Sequence, residues 1–426
     1  VSFFGKLLAP RERQAQAWGG EGFWESFGFG GRAKSGMAVT VDRALQVTVV
    51  LACLRVIAEG VAQVPFAIHR KRKGEAGGSD VADDHPLHWL LSRRPNPWQT
   101  SFEFFEQVVF HTALCGRFIA FKNVVRGQVR ELIPFLPNEV QVEQDEFRRL
   151  TYRVTSRNGE YAVLSADQVW HVKGPAWDLK DGLQILNLAR EAIGLSIAAE
   201  ESHAVMHANG GQTSGVYSIE GTLNKDQYKT LRDWIATQVT GDNRFRPFVL
   251  DRGAKYTPTT MTGVDQQHLE VRRHQVEEIC RAFRCAPLMV GYSDKTATYA
   301  SAEQMFLAHV VHCLAPWYRR LEMSIDVNLL TDAEMRSGLY AKFNPNGLMR
   351  GAHKDRADFY RSLFDMGAIN PNEIRALEEM NPYDGGDTYR VQLNLTDASK
   401  PTPDPVPGAS GLQQPAAEPA SAPAEE

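Results

Sequence analysis

The chain has 426 residues, 43% of them hydrophobic, with 47 Lys and Arg against 51 Asp and Glu. That length exceeds one ordinary core, so two or three packed regions are expected. A net charge of −4 excludes a generic basic nucleic-acid binder, which needs a cation for each phosphate it grips.

Residues 1–36 are rich in Gly, aromatics and charge and read as an irregular arm. No leader is expected, since Val1 to Pro10 is short and polar sequence follows. Residues 42–63 carry apolar side chains at helical spacing, with Asp42 placed as a cap. The longest apolar stretch, Val47 to Ala58, contains Arg55 and falls well short of the ~20 residues that span a bilayer. No membrane partner is expected, and the protein reads as soluble. Pro65 ends the helix and Phe66 to Arg70 reads as a strand. The basic run from His69 to Lys73 before Gly74 fits a solvated hairpin tip or, alternatively, a phosphate patch.

Residues 80–101 are turn-rich and 101–115 form an amphipathic helix. Short alternating runs then continue to about residue 173, the pattern of an antiparallel sheet. Residues 183–207 predict a helix that stops at Asn209-Gly210-Gly211. A small block follows: a strand near Gly215, a helix from Asn224 to Val239, and a strand over 245–251. Residues 265–284 predict a heavily charged helix, 286–299 a polar loop, and 300–330 a long helix interrupted by Pro316. Two shorter helices are expected over 350–366 and 371–380. The last 28 residues hold seven of the 22 prolines and read as a disordered tail. The fold class is α+β.

The five cysteines, Cys53, Cys115, Cys280, Cys285 and Cys313, are odd in number and lack C-x-x-C spacing. Neither a disulfide framework nor a zinc knuckle is indicated. There is no G-x-x-x-x-G-K-[ST] phosphate loop. Gly28-Phe29-Gly30 does not follow a predicted strand, so it does not mark a dinucleotide site. His203 and His207 lie one helical turn apart, with Glu200 one turn before. A metal-dependent hydrolase built on these three is the alternative reading, against structural histidines facing a neighbour. No catalytic residue, metal or cofactor is expected.

A set of ordered strings carries a resemblance. They are Asp84-His85-Pro86-Leu87, Arg94-Pro95-Asn96-Pro97 before Gln99-Thr100-Ser101, and Asn209-Gly210 with Ser214-Gly215-Val216. Val276-Glu277-Glu278-Ile279 runs on to Ala282-Phe283, and Thr298-Tyr299-Ala300-Ser301-Ala302-Glu303-Gln304 comes later. Asn372-Glu373-Ile374-Arg375 and Gly385-Gly386-Asp387 close the series. In this order, over residues 40–398, they resemble the portal proteins of tailed bacteriophages, in particular the siphophage type. Two departures stand out. Arg284-Cys285-Ala286-Pro287 replaces the family's Gly-Val-Pro, which removes the glycine that would leave the helix in left-handed geometry. Arg117 replaces the family's Asn after Gly116.

The resemblance implies a non-enzymatic fold with wing, stem, clip and crown regions that assembles into a cyclic ring. Another phage head-tail ring component, such as an adaptor, is the second alternative, against which the long helix over 300–330 argues. It divides the chain into an arm (1–36), wing (37–182), stem helix (183–208), clip (209–263), second stem helix (264–285) and tunnel loop (286–299). A long channel helix (300–332), a helical wing and crown region (333–398) and the tail (399–426) complete it. It implies that Tyr292, Ser293, Asp294, Lys295 and Thr296 face DNA. Glu270, Arg273, Glu277 and Arg281 would offer complementary charge between neighbouring stems, the bland alternative being pairs within an exposed helix. Arg244 and Arg246 would line the clip mouth or meet an adaptor. The implied partners are eleven further copies, double-stranded DNA bound non-specifically, the terminase large subunit, capsid protein or scaffold, and a head-completion or tail adaptor. The implied location is a capsid vertex of the virion, after assembly in the host cytoplasm.

Overall fold

The computed structural model describes residues 29–72, 78–155, 160–178, 180–208, 215–218, 224–239, 255–258, 264–292, 299–345, 353–378 and 380–389. Chain contacts divide it into two units, residues 1–349 and 350–426.

The first unit opens with a hairpin, β1 (Gly31–Arg32) against β2 (Ala38–Val39). The irregular arm expected over 1–36 therefore ends earlier. The cause is Phe29, fully buried beneath the Arg117 guanidinium, which lies 5.1 Å from the ring centre. Helix α1 (Val41–Gln46) is capped by the Thr40 hydroxyl, with Asp42 in its first turn. Extended backbone at Val47 separates it from α2 (Thr48–Ala62), so the single helix expected over 42–63 is two. Helix α2 buries Val50, Cys53, Leu54, Ile57, Ala58 and Val61, the three-and-four spacing of one helical face.

Next come β3 (Phe66–Lys71), β4 (Ser79–Val81) and the short helix α3 (Pro86–Ser92), which the turn-rich sequence there concealed. Helix α4 (Ser101–Cys115) begins at a reciprocal cap, Thr100 with Glu103, and ends at left-handed Gly116. It packs along α2. The strands β5 (Arg117–Val125), β6 (Gln128–Pro134), β7 (Val140–Gln144), β8 (Leu150–Thr155), β9 (Tyr161–Ser165) and β10 (Val169–Lys173) follow. They form two antiparallel sheets, ordered β10-β5-β6 and β7-β8-β9.

Helices α5 (Ile185–Leu188) and α6 (Arg190–Ala208) lead to β11 (Gly215–Ser218), α7 (Lys225–Val239) and β12 (Lys255–Pro258). Strand β12 pairs antiparallel with β11; the strand expected over 245–251 lies outside the described residues. Helix α8 (Val264–Phe283) and a 3-10 turn over Pro287–Val290 come next. Helix α9 (Tyr299–His309) continues through a π turn, Val310–Leu314, into α10 (Ala315–Leu329). After α11 (Asp332–Arg336), β13 (Leu339–Phe343) returns to pair with β3, in the order β13-β3-β4. A region expected to be helical thus supplies a strand. Burial explains it, because Leu339, Ala341 and Phe343 alternate inward along the strand. Phe343 meets Phe66 and Phe105 at ring distances of 5.1 and 5.2 Å. Burying each such ring contributes roughly 1.5–3 kcal/mol.

The second unit contains α12 (His353–Asp365) and α13 (Pro371–Leu377). Asn370 and Glu373 cap α13 reciprocally, with Pro371 at its first position. No helix among the described residues is long and apolar enough to cross a membrane.

Candidate functional site

Helices α6 and α8 pack as an antiparallel pair. Glu200 faces Arg272 at 3.6 Å, while the far end of α8 meets α5. The charges of α8 largely satisfy one another along the helix. Arg281 reaches Glu277 at 3.1 Å and Glu278 at 2.5 Å, and His274 lies 3.9 Å from Glu278. Glu270 and Arg273 are exposed. Of the four charges expected to serve neighbouring copies, Glu277 and Arg281 are thus engaged within their own helix. Such exposed pairs contribute about 0.3–0.5 kcal/mol each. Glu200 is turned to Arg272, and no group of three metal-ligating side chains is found among the described residues. The side chain of His207 lies outside them.

Helix α8 leaves in left-handed geometry after all. Arg284 takes φ +57°, and the Cys285 N–H donates to the Cys280 carbonyl at 2.9 Å. The missing family glycine is replaced by strain on an arginine, which costs roughly 1–2 kcal/mol. Pro287 then starts the 3-10 turn, and the Tyr292 N–H closes it on the Pro287 carbonyl at 3.1 Å. Tyr292 is half-buried. Ser293, Asp294, Lys295 and Thr296 lie outside the described residues, as do Arg244 and Arg246.

The expected interruption at Pro316 is the π turn. Proline offers no N–H to the preceding turn, and the chain takes up the mismatch one turn earlier. Alongside it stands a group of thiols that sequence spacing gave no sign of. Cys53 of α2 and Cys280 of α8 approach to 3.8 Å, with Cys285 next in the hydrogen-bonded group; Cys313 of the π turn is also buried. All are free. Hydrogen bonds to Cys280 and Cys285, together with burial, hold the Cys53 thiol protonated. The thiols therefore join α2 to the exit of α8 as small apolar packing groups.

A second unforeseen feature surrounds Arg117. Its buried guanidinium pairs with Asp181 at 2.6 Å and donates to the Pro137 and Val140 carbonyls at 3.2 and 2.8 Å. Tyr152 and His171 meet at 3.1 Å beside it. Burial, with Lys173 and Arg117 nearby, pushes His171 down to about 3, so the ring is neutral. Gly116, Gly174 and Gly182 converge here: the Gly174 and Gly182 N–H groups both donate to the Gly116 carbonyl, at 2.8 and 3.2 Å. The sequence showed only a turn at Gly116. The partner, Asp181, lies too far along the chain for any local pattern to reveal it.

The family model described as phage portal protein matches residues 48–379. The chain is 30% identical over 390 residues to the probable portal protein of Streptomyces phage phiC31, covering 87% of this chain and 82% of that protein. It is 27% identical to the portal protein of Enterobacteria phage HK97, covering 83% and 84%. Among solved structures, it shares the fold of a chain in the neck of a native GTA particle computed with C12 symmetry. That match has a TM-score of 0.51 and 21% identity, over 89% of this chain and 98% of the other.

Proposed function

The chain belongs to the phage portal protein family, and on that premise we propose that it is the subunit of a ring at one capsid vertex through which double-stranded DNA is packaged and ejected. The family is structural. In this reading the protein moves no covalent bond and presents surfaces for assembly and passage.

The observation that carries the reading is the element order within one matched length of chain. Sheets come first, then the antiparallel pair α6 and α8 with the β11-β12 block between them, then a turn, then the long interrupted helix. We assign the sheets to the wing, α6 and α8 to the stem, the β11-β12 block to the clip, and α9 with α10 to the channel helix. In this reading residues 286–299 make the tunnel loop. Lys295 beside Asp294 would touch phosphates weakly, since a denser cation cluster would hold DNA and oppose sliding. The clip receives first the terminase and later the adaptor, and the wing faces shell or scaffold. Heterologous contacts between identical subunits close into cyclic symmetry, and the C12 neck of the GTA particle favours twelve.

The test has two parts. Light scattering on the purified chain should give roughly 570 kDa, twelve times 47.6 kDa, by cyclic closure. In particles assembled with Asp294, Lys295 and Thr296 replaced by Gly and Ser, DNA content per head should fall while ring yield holds. A chain that stays monomeric across the micromolar range overturns the ring. Unchanged DNA content removes the loop from the channel.

A further inference from the structure

Two grooves open on nearly opposite sides of α4 and carry opposite charge. The first, about 760 Å³, is lined by the α4 stripe Glu103, Glu106, Gln107, Phe110, His111 and Leu114. Its floor also includes Val41, Leu45 and Pro137, and Asp42 stands at its edge. The second, about 360 Å³, begins on the other side of the same helix at Thr112 and Ala113. Its apolar wall holds Leu183, Leu188 and Trp317, and its charged members are Arg281, Arg284 and Arg320.

The first groove lacks a cation. Asn138 is 3% exposed, yet its side-chain oxygen has no partner, and neither does His111 Nδ1. Both residues line the groove. Burial pushes His111 down to about 4, so its ring is neutral and adds no positive charge. Burial, helped by the nearby Glu59 and Glu103 and only partly opposed by Arg55, holds the Glu106 carboxyl above its ordinary range. An unfilled amide oxygen over an apolar floor, edged by carboxylates, matches a guanidinium on an aliphatic stem.

The second groove offers that group. Arg281 is paired with Glu277 and Glu278, and Arg320 donates to the Lys173 carbonyl. Arg284 is exposed, held out by its left-handed backbone, and has no ion-pair partner among the described residues. Leu188, 67% exposed, supplies apolar surface beside it.

We propose that the acidic groove on α4 of one protomer receives Arg284 of the next, so that these two grooves form a head-to-tail contact of the ring. The proposal rests on the ring reading above and names one of its interfaces. A heterologous contact needs two different complementary faces on one chain, and these are nearly opposite in position and opposite in charge.

The test uses full-length chains carrying Arg284→Glu, Glu106→Arg, or both, with mass read by sedimentation and folding checked by circular dichroism. Each single reversal should weaken assembly by at least ~10-fold in concentration. The double variant should recover rings, because the pair is swapped. An equimolar mixture of the two single variants should also recover them, since alternating protomers pair every groove with its complement. If both single variants assemble like the parent, the contact is wrong and the ring stands. If they fail and neither the double variant nor the mixture recovers, the pairing is equally refuted. If the parent itself never assembles, the ring reading falls first.

Discussion

Substituting Gly182 by Ala tests the glycine junction that positions Asp181 against Arg117. An added Cβ would stand 2.3 Å from the Gly116 carbonyl oxygen, and 2.6 and 2.8 Å from the Gly174 N and Cα. All are backbone atoms, so the strand-to-helix connection must shift. The shift breaks the 3.2 Å bond from Gly182 and strains the 2.8 Å bond from Gly174, worth about 1 kcal/mol each. It also draws Asp181 from an Arg117 side chain only 6% exposed. A buried charge losing its partner costs about 3–5 kcal/mol. The Pro137 and Val140 carbonyls still hold the guanidinium, so the lower end applies. The expected loss is about 4–5 kcal/mol, against a total stability on the order of 5–15 kcal/mol. Urea unfolding measures it, with Gly127→Ala as the comparison. Gly127 has φ +78° and nothing within 4 Å of an added Cβ, so it reports left-handed strain alone, roughly 1–2 kcal/mol. If the two variants unfold within about 1 kcal/mol of each other, the close approach contributes nothing and the account of the junction fails.

Two further outcomes follow from other parts of the fold. Arg284→Gly should raise the stability of the unassembled chain by about 0.5–1 kcal/mol, because glycine accepts φ +57° without the Cβ penalty; a lower urea midpoint would contradict the assigned backbone. His171 is held near 3 when folded, against an ordinary value of 6.5, so the unfolded chain binds the extra proton between those limits. Its contribution is therefore complete above pH 6.5 and is lost as pH falls from 6.5 towards 3. The urea midpoint should drop from pH 7 to pH 5, and less steeply in His171→Gln; equal slopes would show that the ring is not buried neutral.

How much of this the sequence disclosed depended on the range of the interaction. Helices with local signals were legible: the Thr100–Glu103 cap and Gly116 bracket α4, and Asn370 and Pro371 open α13. Strands with clean alternation, β5, β6, β8 and β10, were likewise expected. Structure set by distant partners was not. Strand β13 carries a short alternation, Leu339, Ala341 and Phe343, but five residues between helical stretches were too little to announce it, and its pairing edge on β3 lies far along the chain. Phe29 sits in a Gly-rich stretch that composition marks as an arm, yet the ring has a core position under Arg117. The thiols are scattered in sequence, and only the packing of α2 on α8 brings Cys53 to Cys280.

The exit of α8 shows how a local rule can fail while the geometry it predicts survives. The rule ties a left-handed helix exit to glycine, and its absence here implied a different exit. The exit is fixed instead by what lies on both sides of it. Phe283 and Cys285 are buried, Pro287 cannot continue the helix, and the Cys285 N–H must reach the Cys280 carbonyl. Arg284 meets those demands at φ +57°, against its own preference. In the contact proposed above, the guanidinium kept at this position offsets that strain. Glycine would relieve the backbone and lose the guanidinium. Arg284→Gly should therefore separate two quantities that usually move together, with the single chain becoming more stable and the ring less so.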